Sequence, residues 1–307
     1  MNTNQTIADL REIQESLGLP DGDFARTVKL GYSGSSWGKM KSGTFSGNAE
    51  KALRVLRQAL AVYRSGGAVE VKNGIVVLPH VQAALDAVQV SRVASDEHRL
   101  VVVSGDPGSG KSETARLINA ECGGIYMHAR PSWAGSYLRS LEDIARALGL
   151  AGDMRSTGQA EAAVISALGR SPTLLVIDEA NHFSRELINM LKAVINETRC
   201  SIVLLTIPGH LARMSATHSE ESRQLLRRAV AIIHIPPVST GDILAIAAGL
   251  YPDVAIGTSA PAVAAAANRL HRMDTVRRIF DEADQGEEDL RHASERVEKS
   301  LRPVATR

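Results

Sequence analysis

Cysteine is almost missing from this chain: Cys122 and Cys200 are the only two among 307 residues. So few exclude a disulfide-stapled scaffold, and no Cys-x-x-Cys pair or His/Cys spacing points to a structural zinc site. A reducing cytoplasm is the expected compartment. Long apolar runs are missing as well. No stretch reaches the roughly 18 uncharged apolar residues that cross a bilayer, and the segment from Met1 to Gly18 has no apolar signal core. Secretion and membrane insertion are therefore not expected. Nor is there an excess of charge, since 35 Lys+Arg against 34 Asp+Glu leave +1. That balance argues against a globally basic polyanion-binding surface while leaving room for local basic patches. With 44% hydrophobic residues, the composition suits a globular protein of two or three modules.

Residues 1 to about 64 read as short helices. Ile7, Leu10, Ile13 and Leu17 recur at helical spacing, Gly18 stops the first helix, and Ala49 to Tyr63 forms another. Between them, Asp23 to Leu30 makes a turn and a half of helix, Gly31 to Ser33 a tight turn, and Gly34 to Lys41 a helix of small, polar and basic residues. The pattern predicts a helix-turn-helix over residues 1–65, whose second helix presents Ser35, Ser36, Lys39 and Lys41 to a DNA groove while Trp37 and Met40 join the core. A plain helical bundle with Gly31 as a C-cap explains the same pattern. Nine basic against six acidic side chains in residues 1–64 support DNA contact only weakly.

Gly66-Gly67 opens a linker with a short strand, Gly74 to Leu78, followed by an amphipathic helix from His80 to Val93. From Arg99 onward strands and helices alternate. The strands are Leu100 to Ser104, Gly124 to His128, Thr173 to Asp178, Ser201 to Ile207 and Val230 to Ile235. The helices start at Lys111 and run over Ser136 to Leu148, Gly158 to Leu168, Arg185 to Glu197 and Glu220 to Arg228. Such alternation predicts an α/β fold, a parallel sheet flanked by helices, over residues 66–237. After Pro236-Pro237 the strands stop. Thr240 to Leu250, Ala260 to His271, Thr275 to Ala283 and Glu287 to Ser300 read as a small helical lid over residues 238–307.

Gly105-Asp106-Pro107-Gly108-Ser109-Gly110-Lys111-Ser112 matches GxxxxGK[ST] in full, directly after an apolar strand and before a helix that continues with Glu113. In that context the motif predicts a P-loop: glycines let backbone amides turn inward, the helix N-terminus favours anions, and Lys111 reaches the terminal phosphates of ATP. Ser112 would ligate Mg2+. Leu174 to Glu179 is an apolar strand ending in two carboxylates, a Walker B arrangement in which Asp178 holds the metal and Glu179 polarises the attacking water. Together the two motifs predict ATP hydrolysis to ADP and phosphate by in-line attack.

P-loop, Asp-Glu pair, arginine-bearing helix and helical lid, in this order, resemble an AAA+ ATPase over about residues 70–290. That resemblance assigns a polar sensor to the end of the strand Ser201 to Ile207. Where asparagine is usual the chain offers Thr206 or His210, Thr206 being preferred because it ends the strand itself. It also assigns an arginine finger, reaching a neighbouring subunit's site, to the helix carrying Arg223, Arg227 and Arg228, with Arg227 preferred, and a lid sensor to Arg277.

With its N-terminal helix-turn-helix pattern, the whole chain resembles the phage Mu transposition protein B family, ATP-dependent target-DNA activators of DDE transposases. The correspondence rests on Phe24 to Gly43, the loop Gly105 to Ser112, Ile177 to His182, and Arg223 followed by Arg227. The resemblance implies an ATP-bound homo-oligomer, helical on double-stranded DNA, with little sequence preference, that recruits the transposase and leaves on hydrolysis. It also implies DNA contacts at Arg130, Ser132 and Arg155, although Trp133 in the same loop reads equally as core and Arg130 as an ordinary surface charge. A helicase-loader or insertion-sequence ATPase shares these core motifs, and a nucleotide-responsive helix-turn-helix transcriptional regulator is the alternative of another class.

Overall fold

The computed structural model describes residues 3–28, 30–48, 52, 56, 69–150, 155–171, 173–216, 220–251, 254, 259–286 and 290–301. Two compact units divide the chain: Val77–Pro236, and Met1–Val76 together with Pro237–Arg307.

The second of these begins with three helices, α1 (Thr3–Leu17), α2 (Asp21–Thr27) and α3 (Gly34–Lys41). Leu10, Phe24, Leu30, Trp37 and Met40 bury their side chains in one cluster, and the rings of Phe24 and Trp37 lie 5.6 Å apart. α2 and α3 cross at backbone contact. A Cβ on Gly34 would collide with the backbone of Gly22, so only glycine permits this approach. Ser33 caps α3, its hydroxyl accepting from the Ser36 N–H at 3.2 Å. The expected helix from Ala49 to Tyr63 and the Gly66-Gly67 linker lie almost entirely outside the described residues.

Where one short strand was expected there is a hairpin, β1 (Val71–Lys72) and β2 (Ile75–Val76), paired antiparallel. Asn73 and Gly74 turn it with φ of 50° and 73°, the two left-handed residues that a tight hairpin needs.

The unit Val77–Pro236 opens with α4 (Pro79–Val93). Strand β3 (Leu100–Ser104) is followed by α5 (Lys111–Cys122), and β4 (Ile125–His128) by α6 (Ser132–Gly135), α7 (Tyr137–Ala147) and α8 (Thr157–Arg170). Then come β5 (Leu174–Asp178), a 3-10 turn (Ala180–His182), α9 (Arg185–Glu197), β6 (Ser201–Thr206), α10 (Pro208–Ser215), α11 (Glu220–Leu226) and β7 (Ala229–His234). The sheet is parallel in the order β4-β5-β6-β3-β7. Every residue of the three central strands is buried, which explains why they read as unbroken apolar runs. Leu100, Val102, Leu175, Ile177, Ile202 and Leu204 share a core with residues of α7, α8 and α9, including Leu141, Val164 and Leu191. The strand residues that alternate with these face the other side, on which α4 and α5 pack.

Two local expectations change. Pro208-Gly209, readable as a turn, starts α10, with proline in the first helical turn where its missing N–H costs nothing. The helix expected from Ser136 is preceded by a separate turn of helix, α6, and begins at Tyr137 behind the Ser136 cap.

After Pro237 the chain is helical, with α12 (Thr240–Leu250), α13 (Ala260–Arg269), α14 (Met273–Gly286) and α15 (Leu290–Leu301). α12 packs on α2 and on β2, and a Cβ on Gly249 would stand 2.9 Å from Val71. Small residues such as Val263, Ala264, Ala266 and Ala267 let the helices approach closely. Among the described residues no helix is long and apolar enough to cross a membrane.

Candidate nucleotide site

The loop between β3 and α5 is shaped by its glycines. Gly108 and Gly110 take left-handed φ values of 73° and 89°, and Gly110 caps α5. A Cβ on Gly105 would collide with the Ser109 hydroxyl and stand 3.1 Å from Ile235. Asp106 accepts the Ser109 N–H at 3.1 Å through its carbonyl, closing the loop. The Lys111 side chain is buried, and its ammonium donates to the carbonyls of Gly105 at 2.9 Å and Asp106 at 3.0 Å. The amine is thus held over the loop, where terminal phosphates would meet it.

Register brings the carboxylates to the same edge. β3 and β5 are separated by β6, and the face of β5 that carries Leu174, Val176 and Asp178 is the face on which α5 packs. Asp178 is fully buried. Its Oδ2 accepts from the Ser112 hydroxyl at 2.6 Å, and its Oδ1 accepts the Glu179 N–H at 2.8 Å. Glu179 itself sits at φ 57°, ψ 42°, a left-handed conformation that costs a glutamate on the order of 1 kcal/mol. A buried carboxylate beside a hydroxyl, at the mouth of a phosphate-shaped loop, suits Mg2+. That ion takes one or two carboxylates and completes its shell with phosphate oxygens and water. No cluster of three or more His, Cys, Asp or Glu able to hold a metal occurs among the described residues.

Thr206 ends β6 between the two motif strands, in register with Ser104. The hydroxyls of Thr206, Ser104 and Ser109 are all buried and make no hydrogen bond, as is Nε2 of His210 in the first turn of α10. Burial, with smaller contributions from Arg213 and His182, lowers the His210 pKa to about 4, so its imidazole is neutral at pH 7. Thr206 lies beside the loop, its carbonyl accepting the Gly105 N–H at 3.1 Å, and among the described residues both candidates carry a buried polar atom without a partner, which ordinarily requires one.

The three arginines before β7 separate by partner. Arg228 is tied to Glu97 at 3.1 Å, Asn196 at 3.0 Å and the Gln224 carbonyl at 2.5 Å. Arg223 pairs with Glu220 at 3.3 Å. Arg227 is exposed and makes no side-chain bond among the described residues. Arg277 lies on α14, in the other unit, with Asp281 3.7 Å away.

Arg130 is exposed after β4, Ser132 is exposed as the first residue of α6, and Arg155 is exposed before α8. Trp133 is core: it stacks on Phe183 at 6.2 Å and donates from Nε1 to Asp143 at 2.9 Å. On α3, Ser35 and Lys39 are exposed, and Ser36 is half-buried with its hydroxyl 3.0 Å from that of Ser33. Lys41 turns inward. Its ammonium donates to Asp21 at 2.5 Å and Gln14 at 3.0 Å and lies over the Trp37 ring.

Sequence reasoning passed over two residues at the edge, Tyr126 and His128. They alternate on β4 and so share a face, and His128 is in register with Asp178. The Tyr126 hydroxyl is 3.4 Å from Asp178 Oδ2, and His128 Nδ1 is 3.9 Å from it. The i, i+2 spacing was visible, but the pairing of β4 with β5 was not.

Comparison with known proteins agrees with this geometry. An AAA domain family matches residues 94–215. The chain is similar to the ATP-dependent target DNA activator B of Escherichia phage Mu, 26% identical over 211 residues, and to that of Escherichia phage D108 at the same identity. The match covers 67% of this chain and spans 64% of the length of those relatives. The resemblance carried by the motifs thus extends over two thirds of the chain. Among solved structures, Cdc6p from Pyrobaculum aerophilum superposes with a TM-score of 0.54 at 17% identity, covering 74% of this chain and 69% of that one. The Aeropyrum pernix ORC1 protein, solved in complex with DNA, superposes at 0.51 with 20% identity, over 73% and 66%. The fold is the AAA+ P-loop fold, a five-stranded parallel sheet flanked by helices.

Proposed function

We propose that this protein is an ATPase that binds double-stranded DNA with little sequence preference, oligomerises on it when loaded with ATP, and there recruits and stimulates a DDE transposase. The observation that carries the reading is the meeting of Lys111, Ser112, Asp178 and Glu179 at one sheet edge, in a chain similar to a target DNA activator.

In this reading Lys111 leaves the loop carbonyls for the β- and γ-phosphates, and the loop amides of Gly105 to Ser112 with the start of α5 at Glu113 cradle the rest. Ser112 and Asp178 would hold Mg2+, which would supply positive charge against the phosphoryl oxygens. Glu179 orients and deprotonates the attacking water. Thr206 reports on the γ-phosphate from the adjacent strand. Arg227, exposed and unpaired, serves the site of a neighbouring copy, and Arg277 serves as lid sensor. Residues 66–237 act as the motor and 238–307 as its lid. Residues 1–65 supply a helix-turn-helix that touches DNA through Ser35, Ser36 and Lys39, while Arg130, Ser132 and Arg155 touch phosphates along the assembled polymer. Lys41 is left out, because its charge is already matched by Asp21.

Glu179→Gln tests the reading. The variant keeps ATP binding and loses hydrolysis, so its coats on random-sequence duplex, seen by electron microscopy, outlast those of the wild type at least tenfold. Wild-type assembly that ignores ATP, or Glu179→Gln coats no longer lived than wild type, would overturn it. A footprint confined to one operator would favour the transcriptional regulator, and capture of a replicative helicase in place of a transposase would favour the loader.

A further inference from the structure

Asp178 would have to keep one carboxylate orientation while its neighbours change. It is fully buried, and Ser112, its strongest hydrogen-bond partner, belongs to the loop that must accommodate phosphates. Oδ1 is fixed from its own strand end by the Glu179 N–H, whereas Oδ2 is shared between α5, through Ser112, and the edge strand β4. Tyr126 stands one pleat below the level of Asp178, in register with Val176, and a tyrosine side chain is long enough to span that step along the strand. Its hydroxyl reaches Oδ2 at 3.4 Å. The ring is half-buried between β4 and α5, so the group comes from a rigid strand and not from a loop.

A tyrosine phenol is an O–H donor at neutral pH. His128 flanks the same oxygen at 3.9 Å, beyond hydrogen-bond length, and is largely exposed.

We propose that Tyr126 is a positioning residue for Mg2+-nucleotide binding: from β4, its hydroxyl holds Asp178 Oδ2 toward Ser112, so that carboxylate and hydroxyl are already arranged as a pair when the metal arrives. This rests on the reading of the loop as an ATP site. It assigns the edge strand a part in metal affinity that neither nucleotide motif contains. Groups that orient a metal-binding carboxylate from behind are typically worth about tenfold or more in metal affinity, and the length of this contact places Tyr126 at the lower end.

The test is Tyr126→Phe in the full chain, which removes one oxygen and keeps the ring. Binding of a fluorescent ATP analogue is titrated with Mg2+, and separately measured in EDTA. The expected result is a Mg2+ midpoint raised about three- to tenfold, with affinity in EDTA and melting temperature in EDTA unchanged. A midpoint within a factor of 1.5, roughly the error of such a titration, overturns the inference while leaving the ATP site intact. Equal weakening with and without Mg2+ also overturns it, because the hydroxyl would then serve the loop and not the metal. Wild-type protein that binds no nucleotide at any Mg2+ concentration would instead overturn the ATP-site reading itself.

Discussion

Two buried or half-buried lysines show how differently the two units use a positive charge. Lys111 spreads its ammonium over the carbonyls of Gly105 and Asp106, dipoles that a phosphate can outcompete. Lys41 delivers its ammonium to the Asp21 carboxylate, which also accepts from Gln14 at 2.7 Å, while Gln14 accepts from Trp37 Nε1 at 2.7 Å. The first arrangement rests on backbone carbonyls of its own loop. The second is closed: a carboxylate, an amide, an indole and an ammonium satisfy one another and tie α1, α2 and α3 together. Neutral groups do not follow this contrast: among the described residues the hydroxyls of Ser104, Ser109 and Thr206 at the sheet edge make no hydrogen bond, and neither does the buried Thr6 hydroxyl of α1.

The largest expected effect breaks the open side of this comparison. Lys111→Ala should lower affinity for ATP by about a hundredfold or more, since a charge-assisted contact to two phosphates is lost in a dry loop, and should abolish ATP-dependent DNA binding. Its melting temperature should barely move. Equilibrium binding of labelled ATP together with a thermal melt decides the matter: binding within threefold of wild type would mean that Lys111 is a structural clip, like Lys41.

Acid separates the two units next. Burial keeps the folded-state pKa of His210 near 4, against an ordinary value of 6.5, so the unfolded chain takes up that proton first. The contribution of neutral His210 is complete above pH 6.5, falls as the pH drops, and levels off near pH 4, amounting to about 2–3 kcal/mol in the sheet unit. Asp21 loses its contribution in the same direction but in a lower window. Hydrogen bonds from Gln14 and then Lys41 hold its folded pKa below 3.8, so its contribution survives to about pH 4 and is lost only below. Hydrogen exchange followed by mass spectrometry at pH 7, 5 and 4, corrected for intrinsic rates, should show protection falling first in β3, β5 and β6 while α1 to α3 hold. His210→Gln should flatten the dependence in the strands. Simultaneous loss in both units would show that some other group sets the acid response.

What was legible in the sequence follows the range of the forces involved. The loop Gly105 to Ser112 is built from consecutive residues whose conformation is set by their neighbours in the chain, so this motif and the strand end at Asp178 together named Lys111, Ser112 and Asp178, which the fold brings to one edge. The buried central strands announced themselves as apolar runs. The hairpin was missed although Asn73-Gly74 is a strong local turn signal, because the strands on either side are only two residues long. The Tyr126 contact and the inward turn of Lys41 depend on which strand or helix lies alongside, and no spacing rule carries that information. The three arginines before β7, which the sequence distinguished only by a preference for Arg227, became distinct by partner through Glu97, Asn196 and Glu220, and Arg227 and Arg228 follow α11 instead of lying on it.

The smallest effects sharpen the closed side. On α3, Lys39 is exposed while Lys41 is engaged two residues later, so the pair distinguishes a solvent-facing charge from a structural one on a single helix. Lys39→Ala should weaken binding to random duplex by about 1 kcal/mol, roughly fivefold at moderate salt, and reduce the slope of log affinity against log salt by about one, the signature of one phosphate contact. Its stability should be unchanged. Lys41→Met should do the reverse: the salt slope stays, and the helical unit loses about 1 kcal/mol as the partly exposed Asp21 is left with Gln14 alone. A reduced salt slope for Lys41→Met would mean that the ion pair opens when DNA arrives, and the second helix would then present both lysines to phosphate.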